Sequence, residues 1–248
     1  MNTNRMVVGG LGVLLAAGIA SADFITPDSY GWSREDAAST YFEWDWFTST
    51  SGPNVPDVGQ FPDPLPGGWL EPDVVETTGN ALITSTGRIY SPFGPINVEV
   101  TIPNYETGIG TTTVLLQVRT VGNELDYANV EIDGQFPVEM VELFRTSDDQ
   151  GETVETLFVF EFAGNASVYV ANLPTTEAHV GIDGIAVDTL TEGPCTADFN
   201  GDGAVNTQDF IAYLGAWSVS DDSADINGDG LVNTQDFIAF LGLWVAGC

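Results

Sequence analysis

A chain of 248 residues with 36 acidic side chains, five arginines and no lysine carries a formal charge of −31. Such a surface repels nucleic acid and anionic lipid and attracts divalent cations, and acidity of this degree also fits a saline habitat. The missing lysine excludes Schiff-base chemistry, and a single histidine with two cysteines argues against a zinc site.

Arg5 precedes an apolar run from Val7 to Ala20, and small residues follow at Ala20 to Ala22. The run is too short to span a bilayer, so residues 1–22 are expected to be a secretory signal peptide removed after Ala22. No later stretch is long and apolar enough for a transmembrane helix, and an exported protein with no membrane span is expected.

Residues 23–191 read as one mainly β body, an antiparallel β-sandwich or jelly roll. In "YFEWDWF" (Tyr41 to Phe47), a two-residue period puts Phe42, Trp44 and Trp46 on one face and Tyr41, Glu43, Asp45 and Phe47 on the other. That aromatic row is either core or a stacking surface for sugar rings. Ser51 to Asp73 is rich in proline and glycine and reads as a long surface loop, in which Trp69 is the better candidate for an exposed platform. Strand patterns follow at Ile96–Ile102, Thr111–Val121, Val138–Phe144, Thr153–Phe162, Ser167–Ala171 and His179–Val187, separated by turn residues. The closing "VGIDGIAVDTL" (Val180 to Leu190) looks like the last strand of many jelly-roll adhesion and carbohydrate-binding domains. Catalytic signals are weak. His179 reads as a strand histidine, no G-x-S-x-G elbow occurs, and the carboxylates are too numerous to single out a pair.

"EGPC" (Glu192 to Cys195) marks a boundary, and 192–248 reads as a separate small module. Its two cysteines, Cys195 and Cys248, bracket the module. In an exported protein they suggest a disulfide, worth roughly 4 kcal/mol in the chain-entropy account; the alternative is that Cys248 is a free or modified anchor thiol. Between them "DFNGDGAVNTQD" (Asp198 to Asp209) recurs as "DINGDGLVNTQD" (Asp225 to Asp236). Aligning Ala197–Trp217 on Ala224–Trp244 gives 17 identities in 21 positions.

The repeated dozen has the spacing of a calcium loop. Oxygen ligands fall at positions 1, 3, 5, 9 and 12: Asp198, Asn200, Asp202, Asn206 and Asp209, then Asp225, Asn227, Asp229, Asn233 and Asp236. Position 7 supplies only a carbonyl, from Ala204 and Leu231, and glycine at position 6 (Gly203, Gly230) permits the sharp turn. Two Ca2+ ions are therefore expected. No helix pattern enters either loop, whereas Asp209–Trp217 and Asp236–Trp244 are helical in pattern. No positive charge lies in this module to offset its carboxylates, so its folding is expected to depend on the ions.

Loop followed by helix, twice, resembles a type I dockerin over Cys195 to Cys248, and more narrowly the dockerin-like tails ending in Gly-Cys on exported bacterial proteins. The resemblance implies a calcium-dependent module that docks its passenger on a cohesin-like partner, in a setting of extracellular polysaccharide breakdown. It places the docking contacts at Thr207 and Gln208, at Thr234 and Gln235, and on the helices that follow, with two equivalent orientations. Those helices lack the basic residues usual in cellulosomal dockerins, which favours an unusual partner or a surface anchor. Two readings follow for the whole chain. In the first, a non-catalytic sandwich, carbohydrate-binding or adhesive, is displayed through the tail. In the second, the body is a polysaccharide-degrading enzyme.

Overall fold

The computed structural model describes residues 24–36, 38–60, 71–104, 110–149, 151–193, 195–202 and 204–246. The expected leader, Trp69, Gly203 and Cys248 lie outside them. The chain divides into two units between Glu192 and Gly193.

The first unit is mainly β. Its strands are β1 (Ser39–Trp44), β2 (Val58–Gln60), β3 (Asp73–Glu76), β4 (Leu82–Ile83), β5 (Ile89–Tyr90), β6 (Asn97–Pro103), β7 (Thr111–Gly122), β8 (Glu131–Ile132), β9 (Glu139–Asp148), β10 (Gly151–Ala163), β11 (Val168–Pro174) and β12 (Val180–Glu192). All pairings are antiparallel. The larger sheet runs β2-β1-β12-β7-β10-β9, with β5 also on β12 and β4 on β5; the smaller runs β3-β6-β11-β8.

Alternation explains the smaller sheet. Val98, Val100 and Ile102 of β6 are buried, and so are Tyr169, Ala171 and Leu173 of β11, while Glu99 between them is exposed. These side chains share one core cluster with Val114, Leu116, Val118, Phe158, Phe160, Ile185, Val187, Phe42 and Trp44 of the larger sheet. β-Branched and aromatic side chains suit such a surface because they pack on the pleat without losing further rotamer freedom.

The larger sheet is covered on its other face as well, so β7 is buried nearly end to end rather than alternating. The cover is the segment 24–36. Trp32 packs on Leu115, Leu157 and Val159, and Phe24 packs with Tyr41 and Ala186. Polar side chains in mid-strand fasten it. The buried Gln117 amide accepts from Ile25 N and donates to Ile25 O, both at 2.9 Å. Arg34 Nε donates to Asp188 at 2.6 Å, and the guanidinium lies 3.3 Å from the Tyr41 ring centroid. Arg119 donates to Glu155 at 2.8 Å beneath Phe24. Burial pushes both carboxyls up, Asp188 to about 6, against the opposing pull of their arginines.

Three expectations need correction. β1 ends at Trp44, so Trp46 does not continue its face: the chain turns where Asp45 N and Trp46 N both donate to Asp57, and Trp46 is 52 % exposed while Phe47 is buried. His179 is not a strand residue. It precedes β12 with φ of +65°, and its Nδ1 meets Tyr90 Oη at 2.8 Å. Within the proline-rich stretch, Asn54 is 2 % exposed and acts as a hub, accepting from Thr48 N and Ser49 N and donating to Val74 O, while Val58–Gln60 pairs with β1.

Among its described residues the second unit contains two α-helices, α1 (Thr207–Ser218) and α2 (Thr234–Ala246), with a 3-10 turn at Asp222–Ala224 between them. No helix among the described residues is long and apolar enough to cross a membrane.

Candidate metal centre

Each helix of the second unit begins from the end of an acidic loop. Asn206 caps α1 by accepting from Gln208 N, while the Asp209 carboxylate reaches back to Asn206 N at 2.8 Å, a reciprocal capping box. Asn233 and Asp236 repeat both bonds at α2. These asparagines and aspartates stand at loop positions 9 and 12, so the residues that start each helix also close each loop.

The loops share most of their internal bonds position for position. Asp202 N donates to Asp198 and Asn200, and Asp229 N donates to Asp225 and Asn227. Ala204 N donates to Asp202, and Leu231 N to Asp229. Asn200 N meets Asp209 Oδ1 at 3.1 Å, and Asn227 N meets Asp236 Oδ1 at 3.2 Å. Asp209 and Asp236 are fully buried by solvent accessibility, and both carboxyls are held below the usual range, foremost by the backbone N–H groups of Asn206 and Asn233. They stay ionised in the interior because amide hydrogens point at them.

One oxygen from each of Asp198, Asp202 and Asp209 lies within 4.8 Å of the others, the one such group among the described residues. Oxygens on opposite sides of a calcium ion stand about 4.6–5.2 Å apart, from bond lengths of 2.3–2.6 Å. The spacing and the all-oxygen donor set thus fit a hard divalent cation. In the second loop Asp225 accepts from both Asp229 N and Gly230 N, and its carboxylate is not grouped in this way with those of Asp229 and Asp236. Asn200, Asn206, Asn227 and Asn233 supply amide oxygens, and the carbonyls of Ala204 and Leu231 each accept from the position-9 amide two residues on.

Repeat-equivalent residues meet between the helices. Tyr213 and Phe240 stack at 4.0 Å, with Phe210 and Phe237 at 6.3 Å, inside a cluster that also holds Phe199, Ile226, Trp217 and Trp244. The approximate twofold relation extends to the loops, because Trp217 Nε1 donates to Asn233 O and Trp244 Nε1 donates to Asn206 O, both at 2.8 Å.

Thr207, Gln208, Thr234 and Gln235 occupy the first turns of α1 and α2 and are exposed. Beside them Ile211 and Ile238 are 63 % and 64 % exposed at equivalent positions. The sequence pattern passes over this pair because an isoleucine in a helical stripe reads as core. Cys195 is disulfide-bonded.

The aromatic candidates of the first unit fare differently. Trp44 is fully buried and its Nε1 donates to Asn54 O at 2.7 Å, so no face of it is open to a sugar. Trp46 lies over Gly87, where a Cβ would fall 2.6 Å from its ring, and one face of the indole is thereby closed.

No protein-family model matches the chain, and no curated protein matches it.

Proposed function

We propose that this is an exported protein whose second unit is a dockerin-like module holding two Ca2+ ions. In this reading it docks a non-catalytic body, a β-sandwich of jelly-roll type with a carbohydrate-binding or adhesive role, onto a cohesin-like or other surface partner. One observation carries it: Asp198, Asp202 and Asp209 converge within 4.8 Å in a loop whose backbone bonds recur 27 residues later. The bound ion would supply positive charge where the module has no lysine or arginine to offset its carboxylates. Asp209 and Asp236, each both loop end and helix cap, then tie ion binding to the start of α1 and α2. Those first turns present Thr207, Gln208 and Ile211, and symmetrically Thr234, Gln235 and Ile238, as two equivalent docking faces. One core shared by two antiparallel sheets supports the sandwich reading of the body.

Calorimetry of the full chain with calcium tests the reading. Uptake of two ions is expected, with magnesium weaker because it demands a tighter octahedral shell. Absence of uptake at millimolar calcium overturns it. A reducing-sugar assay on polysaccharides accompanies it, and turnover would replace the non-catalytic body with an enzyme.

A further inference from the structure

Asparagine is followed by glycine at two places in the chain, Asn200–Gly201 and Asn227–Gly228, and both are positions 3 and 4 of the acidic loops. The pairing matters because glycine has no Cβ to shield its backbone nitrogen, which can therefore reach the side-chain carbon of the asparagine before it. All four residues are exposed, and the glycines hold φ of +72° and +71°. Each asparagine also folds its side chain forward along the chain. Asn200 Oδ1 accepts from Asp202 N at 2.8 Å, and Asn227 Oδ1 accepts from Asp229 N at 2.9 Å. That bond lays the side-chain amide alongside the nitrogen of the intervening glycine.

The two sites differ in what restrains them. At the first, Gly201 N donates to Asp198 O at 3.3 Å, and Asn200 Nδ2 donates to Asp202 at 3.0 Å. At the second, neither Gly228 N nor Asn227 Nδ2 has a hydrogen-bond partner among the described residues. An attacking nitrogen and a departing amine are thus both unrestrained in the second loop alone.

We propose that Asn227–Gly228 is a self-modification site, at which the chain deamidates while its second loop stands without an ion. Gly228 N attacks Asn227 Cγ: the N–Cγ bond forms, the Cγ–Nδ2 bond breaks, and the proton of the attacking nitrogen leaves with the amine as ammonia. Water then opens the five-membered imide at either carbonyl, giving aspartate or isoaspartate. Water is the one co-reactant, and nothing is oxidised or reduced. Aspartate keeps a ligand oxygen at position 3. Isoaspartate routes the backbone through the side chain and inserts a methylene between positions 3 and 4, so the later ligands lose their register. A bound cation opposes the reaction, because an Oδ1 held on the ion cannot turn with Cγ into the plane of the new ring. This shielding rests on the calcium reading given above, whereas the reactivity of Asn227 does not. A module left without calcium then loses its second loop first, and irreversibly.

The test incubates the full chain at mildly alkaline pH in chelator and in calcium. Tandem mass spectrometry follows the gain of one mass unit as the amide becomes an acid, and enzymatic methylation detects isoaspartate. The gain is expected first at Asn227 and later at Asn200. Calcium at roughly ten times its dissociation constant is expected to slow Asn227 about tenfold, since only the ion-free loop reacts. Gly228→Ala, whose Cβ shields the attacking nitrogen, is expected to stop the gain at Asn227 and leave that at Asn200. No gain at Asn227, an equally fast gain at Asn200, or an undiminished reaction in Gly228→Ala overturns the assignment. If calcium fails to slow the reaction, the shielding is wrong and calorimetry shows how far the failure reaches. Uptake of ions confines it to the shielding, whereas no uptake removes the calcium reading and leaves the reactive pair standing.

Discussion

The indole of Trp217, at the end of α1, donates to the backbone carbonyl of Asn233 in the other repeat, and Trp244 returns the same bond to Asn206. Position 9 of each loop is thus braced by the helix that leaves the other. Removing one brace should therefore be felt across the repeat boundary. Trp217→Phe keeps most of the packing and deletes the donor, at a cost of about 1 kcal/mol. The expected outcome is weaker ion binding at the second loop with the first less affected, and Trp244→Phe the reverse. Lanthanide luminescence with loop-specific variants reads this. Equal effects of either substitution on both loops would refute the crossed arrangement.

Asp209 takes part in two functions through one carboxylate: it caps α1 through Asn206 N and it is the third member of the acidic group. Asp209→Asn retains an oxygen acceptor but loses the charge. The first loop's calcium affinity is expected to fall by at least about tenfold, and α1 to lose helix content in the absence of calcium. Isothermal titration and circular dichroism separate the two effects.

The two loops and the helices that leave them are legible in the sequence because one dozen residues recurs, with Asp, Asn and Gly where turns and helix caps need them. The same spacing of oxygens is what the proposed ions would require. The strands β6 and β11 are legible for a similar reason, since a half-covered strand must alternate. By contrast β7, β10 and β12, buried on both faces, are legible as apolar runs bounded by turn residues. What no local pattern announces is the cover over the larger sheet. Phe24, Tyr30 and Trp32 follow no period, and their partners Gln117, Leu115 and Val159 lie far along the chain. Gln117 and Asp188 read as polar interruptions in apolar strands until Ile25 and Arg34 are seen to meet them. Trp46 misleads for the opposite reason, because alternation carries a face past Trp44 although Asp57 has already turned the backbone. The crossed Trp–Asn bonds depend on how two repeats pack, and no motif encodes that.

Gly122 ends β7 at φ of +91°, and a Cβ there would fall 2.4 Å from the carbonyl oxygen of His179. That oxygen is backbone, fixed by accepting from Asn123 N, so it cannot swing aside as a flexible side chain would. Gly122→Ala is expected to destabilise the first unit by more than about 2 kcal/mol. Gly134 supplies the control: its φ is +78° with nothing within 4 Å, and Gly134→Ala should cost only the left-handed backbone strain, about 1 kcal/mol. Urea unfolding followed by tryptophan fluorescence compares them, and a similar loss at both sites would show that His179 does not confine Gly122.

Asp188 gives the first unit a pH dependence opposite to the usual carboxylate. Burial raises its folded pKa to about 6 from 3.8, despite Arg34. Between those values the folded state holds the proton more tightly than the unfolded state. Stability from this group therefore rises as pH falls from about 6 toward 4 and is constant above that window. The shift corresponds to about 3 kcal/mol of strain in keeping the side chain ionised at neutral pH. Glu155, also raised by burial, acts in the same sense, so the two must be separated. Asp188→Asn isolates the contribution: the difference in unfolding free energy between it and the parent chain should change across pH 4 to 6 and be flat above. A carbon-13 titration of the Asp188 carboxyl gives the direct reading, and a midpoint near 3.8 would mean that Arg34 compensates fully for the loss of water.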